Sequence, residues 1–416
     1  MDVLNSRNYD WEKPAMTRTI LTAILGEGLV SVEGNVHKAM RRVAAPAFSG
    51  RQTRALAPLF YSKGLALIEV LARQVKKADG GVVEITGAIS RVTLDIIGAA
   101  GVGMDFNALD DEESKLAKLY ELVMEPPSFF MLAESLFPRW LLQQFGWKGY
   151  SKTIEAQSQL RSEVRALLQE KKAVINEEKS TPHSTDIIAS IMKSGDFSDD
   201  YLIGQLLTFL AAGHDTTASA LVWATWLLSR HPQIQDRLRA ECSAKLPNGP
   251  VSEVDAAAFD PENMPFLAAV CNETLRLYPP APSTVREAIV STTIRNVPIA
   301  KGTLVTIPPW AVNRNRALWG ANAADFIPDR WIDGPNAANG GAESPYSFLT
   351  FLHGPRSCIG QGFARLEMKC LLALLITRFA FETTSPDQMV QICGFITIKP
   401  QGGLRLKVYD LKSKER

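Results

Sequence analysis

The hydrophobic pattern of the chain favours a mainly α fold with small β-sheets. Apolar residues recur at helical spacing over four stretches, at residues 51–80, 85–103, 152–178 and 199–230. Shorter alternating segments at 284–312 and 390–408 are typical of strands, and residues 400–403 are typical of a hairpin turn. No internal repeat or low-complexity tract interrupts this pattern.

The composition is that of an ordinary globular protein. Of 416 residues, 46% are hydrophobic and 21% are charged, so the chain can bury a large core. The net charge of +1 gives no reason to expect a nucleic-acid partner. Five cysteines are scattered without a Cys-x-x-Cys pair, which argues against a zinc site or a disulfide framework and fits a reducing compartment.

The sequence shows no N-terminal signal and no uninterrupted apolar run long enough to span a bilayer. The best candidate, residues 206–228, is broken by a cluster of glycine and polar residues at 213–217. We therefore expect no transmembrane segment in this chain.

A loop at residues 351–360 reads Phe-x-x-Gly-x-Arg-x-Cys-x-Gly, and an amphipathic helix follows it at once. Cys358 stands just before the helix start, where the helix dipole favours a thiolate, and a single thiolate can hold haem iron. Gly354 permits a tight turn, Gly360 permits a flat ligand to approach closely, and Arg356 can reach a carboxylate at its edge. A buried loop cysteine is the alternative interpretation of Cys358.

A second motif lies inside the last of the four helical stretches and reads Ala-Ala-Gly-His-Asp-Thr-Thr at 211–217. Gly213 weakens a helix interior by about 1 kcal/mol, and the Thr216 hydroxyl can donate back to the Ala212 carbonyl and bend the helix. The resulting notch, with the Asp215 carboxylate beside it, could admit a diatomic ligand and pass protons to it. A tolerated polar break in a buried helix explains the motif equally well when it is taken alone.

Charged side chains at helical spacing form two further motifs. Glu273 and Arg276 share one helix face and can form a bidentate ion pair, although pairs of this kind are often exposed and contribute little. His37 and Arg41 also share one face, near the head of a predicted helix, where a solvated basic surface is the alternative.

Together these motifs resemble those of the cytochrome P-450 family of haem-thiolate enzymes, in its microsomal and fungal-like form, from about Tyr9 to the C-terminus. The resemblance implies the cytochrome P-450 fold as a single catalytic domain over residues 1–416, with small β parts near 284–312 and 390–408. Microsomal members begin with a membrane anchor, a Pro-rich hinge, a first helix and two strands, and this chain is expected to start after them. A full-length parent is then expected at the endoplasmic reticulum membrane, and this chain is expected to be soluble or peripheral.

The resemblance also implies haem b as the cofactor, with Cys358 as the axial ligand of its iron. The residues expected to bind or surround the haem are Arg356, Arg41, His37, Arg286, Phe351, Gly354, Gly360, Ala212 and Gly213. The family has an aromatic residue at the position of His37, and an exposed strand arginine is the alternative for Arg286. Asp215 and Thr216 are the expected proton donors to bound dioxygen.

Two further groups of residues follow from the resemblance. Glu273, Arg276 and Arg330 are expected to form a buried structural triad behind the cysteine loop. The residues expected to line the substrate pocket are Phe209, Ala281, Ser283, Val285 and Phe395. Most of these are apolar, which implies a hydrophobic substrate, although plain core packing is the alternative for each of them.

The implied activity is that of a monooxygenase that inserts one oxygen atom from O2 into a hydrophobic small molecule, by hydroxylation or epoxidation. The chain shows no flavin or nicotinamide motif, so electrons are expected from a separate NADPH-dependent flavoprotein reductase. The basic residues expected to dock this acidic partner are Lys38, Arg42, Arg365 and Lys369, with a solvated surface as the alternative.

Two other classes of protein stay open at this point. A haem-thiolate isomerase, dehydratase or peroxygenase would use the same scaffold, but the presence of Asp215 and Thr216 argues against it. The other class is a truncated product that binds haem without turning over, for which the expected N-terminal shortening is the reason.

Overall fold

The computed structural model describes residues 1–111, 113–124, 130, 133, 137, 139–144, 148–177, 186–195, 197–247, 249–394 and 396–414. Most of these residues are helical and the strands form small antiparallel sheets, so the predicted fold class is confirmed. The helices are α1 (Ala15–Leu25), α2 (Gly34–Ala44), α3 (Gly50–Arg54), α4 (Ala57–Lys77), α5 (Thr86–Val102), α6 (Lys115–Met124), α7 (Arg139–Gln144), α8 (Lys148–Glu177), α9 (Ile187–Lys193), α10 (Asp199–Arg230), α11 (Pro232–Lys245), α12 (Pro265–Leu277), α13 (Pro309–Val312), α14 (Arg316–Trp319) and α15 (Gln361–Arg378).

Helix α10 is the longest element among the described residues and is buried along most of its length. Ser198 caps its N-terminus by accepting a hydrogen bond from the Tyr201 N–H at 3.3 Å. Residues 202–228 are buried on nearly every face, so this helix is a core helix and not an amphipathic surface helix. Helix α5 packs along it, and a Cβ at Gly213 would lie only 2.7 Å from Ile97 of α5. Gly213 is therefore required by helix packing.

Helix α15, which follows the cysteine loop, packs against α4, α11 and α12. Phe363 meets Phe60 of α4 edge to face, with ring centroids 4.9 Å apart. Leu371 and Ile376 are fully buried further along the helix. These contacts fix the start of α15, and with it the position of the cysteine loop.

The strands are β1 (Trp11–Glu12), β2 (Val82–Glu84), β3 (Thr284–Ala288), β4 (Thr292–Ile294), β5 (Val297–Ile299), β6 (Leu304–Ile307), β7 (Phe379–Glu382), β8 (Ile392–Cys393), β9 (Lys399–Pro400) and β10 (Arg405–Asp410). They pair antiparallel in the orders β1-β3-β6, β2-β10-β7, β4-β5 and β8-β9. The strands expected at 284–312 are present as far as Ile307, and residues 309–312 form the short helix α13 instead.

The turn predicted at residues 400–403 is present, with the Gly403 N–H donating to the Pro400 carbonyl at 3.1 Å. The prediction that it joins a hairpin is wrong. Strand β10 bonds to β2 along one edge and to β7 along the other, so it has no free edge for β9. Strand β9 pairs with β8 instead.

One helical stretch, Gly50–Lys77, is long and apolar enough to cross a membrane by length and composition. This finding corrects the expectation that no such run exists. However, Phe60, Leu67 and Leu71 on this stretch are fully buried inside the molecule, and a buried core helix meets the same criteria. The stretch is therefore weak support for a membrane span.

Candidate active site

The cysteine loop is held in a tight conformation before α15. The Cys358 N–H donates to the Phe351 carbonyl at 2.8 Å. Gly354 has a φ of 76°, and a Cβ there would lie 2.0 Å from the Leu4 carbonyl oxygen, so only glycine fits. Gly360 has a φ of −88°, and a Cβ there would make one ordinary contact, 3.8 Å from a phenylalanine ring. In the described part of the chain, no neighbouring atom would clash with a Cβ at position 360.

The Cys358 side chain opens into a cavity of about 300 Å³ whose walls come from α10, α12, α15 and the segments between them. The cavity brings together five other residues predicted for the site, namely Thr216, Phe351, Arg356, Ala281 and Ser283. The rest of the wall is mainly apolar and includes Val30, Ala220, Leu275, Pro309 and Met368. A small, partly open space of this character suits an apolar ligand with a few polar contacts.

The other predicted pocket residues do not line this cavity in the part of the chain that the structure describes. Val285 is half-buried on β3, and Phe209 is buried on α10, where it meets a second phenylalanine ring. Ala212 and Gly213 are half-buried on α10, about one turn before the cavity begins. Phe395 lies outside the described residues.

Cys358 is solvent-accessible because its side chain faces the cavity, although protein atoms surround the thiol on its other sides. Burial raises the pKa of the Cys358 thiol, and a hydrogen bond from the Gly360 N–H and the nearby Arg41 guanidinium oppose that rise only in part. The helix start therefore favours the thiolate through the Gly360 N–H, but burial outweighs this effect in the chain alone. A bound metal ion would displace the thiol proton.

Arginine side chains converge next to the cysteine loop. Arg41 on α2 donates to the Ser357 carbonyl at 2.7 Å. Arg356 donates to two backbone carbonyls in the segment before α1, each at 2.7 Å. Arg286 on β3 is 2% exposed and donates to the Val285 carbonyl at 2.9 Å. The three arginines predicted to bind the haem thus lie next to the cysteine loop, in buried or half-buried positions.

His37 shares a face of α2 with Arg41, as the spacing predicts, and is 3% exposed. Burial, followed by the positive charges of Arg356 and Lys13, lowers the pKa of His37 to about 4. The imidazole is therefore neutral at pH 7. Its Nδ1 atom has no hydrogen-bond partner among the described residues.

Two further charged residues, Lys13 and Glu33, lie beside these arginines and form a charged cluster with them. Neither residue is indicated by any motif in the sequence. The Lys13 ammonium pairs with the Glu33 carboxylate at 3.1 Å, and Glu33 also pairs with Arg356. Burial lowers the pKa of Lys13 to about 8. Lys13 and Glu33 lie twenty residues apart in different segments, with no helical or strand spacing between them, so only the fold could show that they meet.

Three cations in this cluster, Lys13, Arg286 and Arg356, share a single carboxylate, that of Glu33. Arg41 adds a fourth positive charge, which lies near Cys358. The Nε atoms of Arg286 and Arg356 are buried without a hydrogen-bond partner in the described part of the chain. Buried positive charge without a counter-ion is costly, so the cluster fits a ligand that brings acidic groups next to Cys358.

Asp215 and Thr216 are adjacent on α10, but their side chains do not contact each other. The Thr216 hydroxyl donates to the Ala212 carbonyl at 2.8 Å, which confirms the predicted back-bond. One oxygen of the Asp215 carboxylate pairs with Lys399 at 2.5 Å, and the other accepts a hydrogen bond from the Thr397 hydroxyl. Burial by itself raises the pKa of Asp215, but the charge and hydrogen bond of Lys399, with smaller contributions from His214 and Thr397, outweigh it and hold the pKa below its usual value.

The structure brings Glu273, Arg276 and Arg330 together at a buried site. Arg276 donates to both carboxylate oxygens of Glu273, each at 2.8 Å, and Arg330 donates to one of them at 2.9 Å. The Trp331 indole N–H adds a further bond to Glu273 at 2.9 Å, which the sequence motif does not indicate. Removing one partner of such a buried pair typically costs about 3–5 kcal/mol.

Comparisons with known proteins agree with this geometry. The model of the family described as "Cytochrome P450" matches residues 3–406. The chain is 42% identical to the cytochrome P450 monooxygenase sphH of Aspergillus fumigatus, over 98% of this chain and 76% of that protein. It is 37% identical to the cytochrome P450 monooxygenase ptmK of Penicillium ochrochloron, over 99% of this chain and 82% of that protein. It is 35% identical to the cytochrome P450 monooxygenase ALT8 of Alternaria alternata, over 98% of this chain and 79% of that protein.

The family carries haem b, and the site fits that cofactor. The cavity offers a thiol for the iron, and the neighbouring cations offer donors with no partner for the acidic groups of the haem. The family match extends over almost the whole chain. The chain therefore belongs to the cytochrome P450 family and is an oxidoreductase that incorporates oxygen from O2 into its substrate.

Proposed function

We propose that Cys358 is the axial ligand of the haem iron, and that the chain acts as one catalytic domain over residues 1–416. In this proposal it inserts one oxygen atom from O2 into a hydrophobic small molecule. The observation that carries the proposal is the apolar cavity, which Cys358 and Thr216 both line. When bound, haem b supplies the oxygen-activating iron, and a cysteine thiolate ligand favours cleavage of the O–O bond.

The cation cluster would hold the acidic groups of the haem. Arg286 and Arg356 each have a buried Nε atom without a partner among the described residues, and His37 has an open Nδ1 atom beside them. Arg41 ties α2 to the cysteine loop through Ser357. The remaining residues proposed to surround the haem are Phe351, Gly354, Gly360, Ala212 and Gly213.

Asp215 and Thr216 are proposed to move protons into the cavity. The Thr216 hydroxyl lines the cavity wall and can both donate and accept a hydrogen bond. The Asp215 carboxylate lies behind that wall and is bound to Lys399 and Thr397. Delivery of a proton by Asp215 therefore requires this carboxylate to change partners.

A hydrophobic substrate is proposed from the character of the cavity wall. Ala281 lines the cavity near Cys358, and Ser283 provides one hydroxyl there. Phe209, Val285 and Phe395 are proposed to contact the part of the substrate that extends beyond this space. Apolar walls with few polar groups bind apolar ligands by removing their surface from water.

An NADPH-dependent flavoprotein reductase is proposed as the redox partner. Of the four basic residues expected to dock it, Lys38 and Arg42 are exposed on α2, although the Lys38 ammonium also lies over the Tyr9 ring. The other two are engaged within the protein, because Arg365 lies over the Phe351 ring and Lys369 donates to the Phe259 carbonyl. The docking surface is therefore proposed on the exposed face of α2.

A location at the endoplasmic reticulum membrane is proposed for the protein. The support within this chain is weak, because the stretch Gly50–Lys77 meets the length and composition of a membrane span and is also part of the core.

The carbon monoxide difference spectrum of the dithionite-reduced protein tests the iron ligand. We expect a strongly red-shifted Soret band in the wild-type protein and its loss in Cys358→Ser, because only a thiolate ligand gives that shift. Cys393→Ser is the matched control, since Cys393 is an exposed cysteine far along the chain from the cysteine loop.

Other outcomes would overturn the proposal. A spectrum typical of imidazole or neutral thiol ligation in the wild-type protein would exclude a Cys358 thiolate on the iron. Turnover that needs peroxide but neither NADPH nor a reductase would replace the monooxygenase with a peroxygenase on the same scaffold.

A further inference from the structure

The cysteine loop contains a backbone conformation that leucine rarely adopts. Leu352, six residues before Cys358, has a φ of 54°, in the left-handed region. The other non-glycine residues with a positive φ in the described part of the chain are Asn107, Arg295 and Asn336, which are polar and exposed. Asparagine enters this region readily, whereas the Cβ of a leucine approaches the following carbonyl oxygen too closely. Leu352 is thus an apolar, half-buried exception.

The strained residue stands where the loop reverses. The Leu352 N–H donates to the Leu349 carbonyl at 2.9 Å, and the neighbouring Phe351 carbonyl accepts the Cys358 N–H at 2.8 Å. The chain therefore turns at Leu352 and runs back to the cysteine. Glycine would form the same reversal without strain. The backbone gives no reason for a leucine at this position, so the reason has to be sought in its side chain.

Leu352 stands between the cavity and a separate apolar core. It lines the cavity together with Cys358. It also packs against a second core, whose buried residues are Val3, Leu4, Trp11, Ala288, Ile307 and Leu349. Because neighbouring side chains relax only in part around a truncated residue, loss of this side chain would leave a gap between the cavity and the second core.

The second core is thin on the side of the N-terminal segment. Leu4 is buried within it, but Asn5 and Ser6, which follow directly, are exposed. A gap at Leu352 would therefore be separated from solvent by little more than this segment. The apolar shell around a metal site controls how far water reaches its ligands, and Leu352 is part of that shell beside Cys358.

We propose that Leu352 is a positioning residue that keeps water away from Cys358 on the side of the second core, and that its strained backbone is tolerated because an apolar side chain is needed there. The inference rests on the proposed role of Cys358 as the haem ligand. It adds a residue that the motif Phe-x-x-Gly-x-Arg-x-Cys-x-Gly leaves open, since position 352 is one of the variable positions of that motif.

The experiment uses the haem-loaded full chain, reduced with dithionite under carbon monoxide. The measurement is the rate at which the red-shifted Soret band is lost, because water at the sulfur weakens its bond to the iron. We expect Leu352→Ala and Leu352→Gly to lose the band about tenfold faster than the wild-type protein, as is typical when the surroundings of a metal ligand are disturbed. Leu352→Met keeps an apolar side chain of similar volume and should stay near the wild-type rate.

Leu349→Ala is the matched control. Leu349 is 6% exposed and belongs to the same second core and the same turn, but it does not line the cavity in the described part of the chain. We expect this variant to unfold at a lower urea concentration than the wild-type protein while its band persists as long. If Leu349→Ala and Leu352→Ala lose the band equally fast, core stability explains both results and the inference is wrong.

The glycine variant separates the side chain from the backbone. Since glycine adopts a positive φ freely, Leu352→Gly should need at least as much urea to unfold as Leu352→Ala, although glycine is the less stable residue at ordinary positions. The opposite order would contradict the left-handed strain. A band in Leu352→Gly that persists as long as in the wild-type protein would show that the side chain is not needed, and would overturn the inference.

Hydrogen exchange of the Cys358 amide gives a readout apart from the iron. Its bond to the Phe351 carbonyl protects it, and we expect this protection to stay within about twofold of the wild-type value in haem-loaded Leu352→Gly, because glycine keeps the reversal. A large loss of protection would mean that the loop opens, which would replace shielding as the explanation. A wild-type spectrum without the red-shifted band would instead contradict the proposed function, so the two failures are distinguishable.

Discussion

At the residue scale, the most informative feature is the excess of positive charge beside the cysteine loop. Lys13, Arg286 and Arg356 share the single carboxylate of Glu33, and the Nε atoms of both arginines are buried without a partner in the described part of the chain. Buried positive charge without enough counter-charge destabilises the protein when no ligand is bound. Acidic groups of a ligand would pair with these cations and remove that cost.

Replacing Arg286 should weaken haem retention. In Arg286→Met the chain keeps a side chain of similar length but loses a charged donor at a buried position. Hydrogen bonds to charged groups contribute about 1.5–3 kcal/mol, so we expect haem loss to accelerate roughly ten- to hundredfold. The measurement is the rate of haem transfer to apomyoglobin. Arg405→Met, an exposed arginine on β10, is the control and should leave the rate unchanged.

His37 should make the stability of the haem-free chain depend on pH. The pKa of His37 is about 4 in the folded chain and 6.5 when unperturbed, so between these values the unfolded chain binds a proton that the folded chain does not. Stability therefore falls as the pH falls from 6.5 to 4, by about 2 kcal/mol at pH 5. Urea unfolding at pH 7 and pH 5 would measure this change.

The His37→Gln variant isolates the histidine from other titrating groups. Glutamine cannot titrate, so the loss of stability between pH 7 and pH 5 should be smaller in this variant by the amount that His37 contributes. Equal losses in the two proteins would show that the imidazole is not buried as a neutral group.

At the element scale, the position of α10 depends on close backbone approaches. A Cβ at Gly204 would lie 2.3 Å from the Glu27 carbonyl oxygen, and a Cβ at Gly28 would lie 1.9 Å from the Thr208 hydroxyl oxygen. The turn after α1 therefore rests directly on α10. Together with Gly213 against Ile97, these contacts set where Thr216 meets the cavity.

Adding a methyl group at Gly204 tests this packing. Gly204→Ala should lower the free energy of unfolding by about 1–3 kcal/mol, because the clash involves backbone atoms that cannot move aside easily. Gly50→Ala is the matched control, since no atom lies within 4 Å of the added Cβ and the residue is in a helix. That change should be neutral or slightly stabilising, and urea unfolding of both variants would check the contrast.

At the scale of the whole molecule, the surface beside the cysteine loop has fewer available cations than the sequence suggests. Arg365 and Lys369 on α15 are engaged with the Phe351 ring and with the Phe259 carbonyl, respectively. Lys38 and Arg42 on α2 remain exposed. A partner with an acidic surface would therefore be steered mainly by α2.

Charge reversal on α2 should slow reduction by the reductase without disturbing the haem. We expect Lys38→Glu/Arg42→Glu to lower the rate of NADPH-driven reduction about tenfold at low salt, with a smaller difference at high salt. Stopped-flow formation of the carbon monoxide complex would measure this rate. Lys77→Glu, an exposed lysine at the end of α4, is the control. An equal loss in that control would mean that net charge matters and that the α2 surface does not.

The sequence by itself determined the family and the local parts of the site. The cysteine loop, the Thr216 back-bond to Ala212 and the Glu273–Arg276 pair are readable because each depends on residues a few positions apart in a loop or helix. Periodicity likewise predicted the long helices, since a buried face repeats every turn. The predicted 400–403 hairpin was wrong because strand pairing is decided by which distant edges are free.

Only the tertiary structure determined which charged residues meet at the site and how burial shifts their pKa values. The Lys13–Glu33 and Lys399–Asp215 pairs join segments with no common spacing, so no local pattern could indicate them. The protein atoms around the Cys358 thiol also raise its pKa, and this effect outweighs the nearby N–H and Arg41. Desolvation and contacts between distant segments are properties of the folded molecule, and a sequence records them only through the structure that it forms.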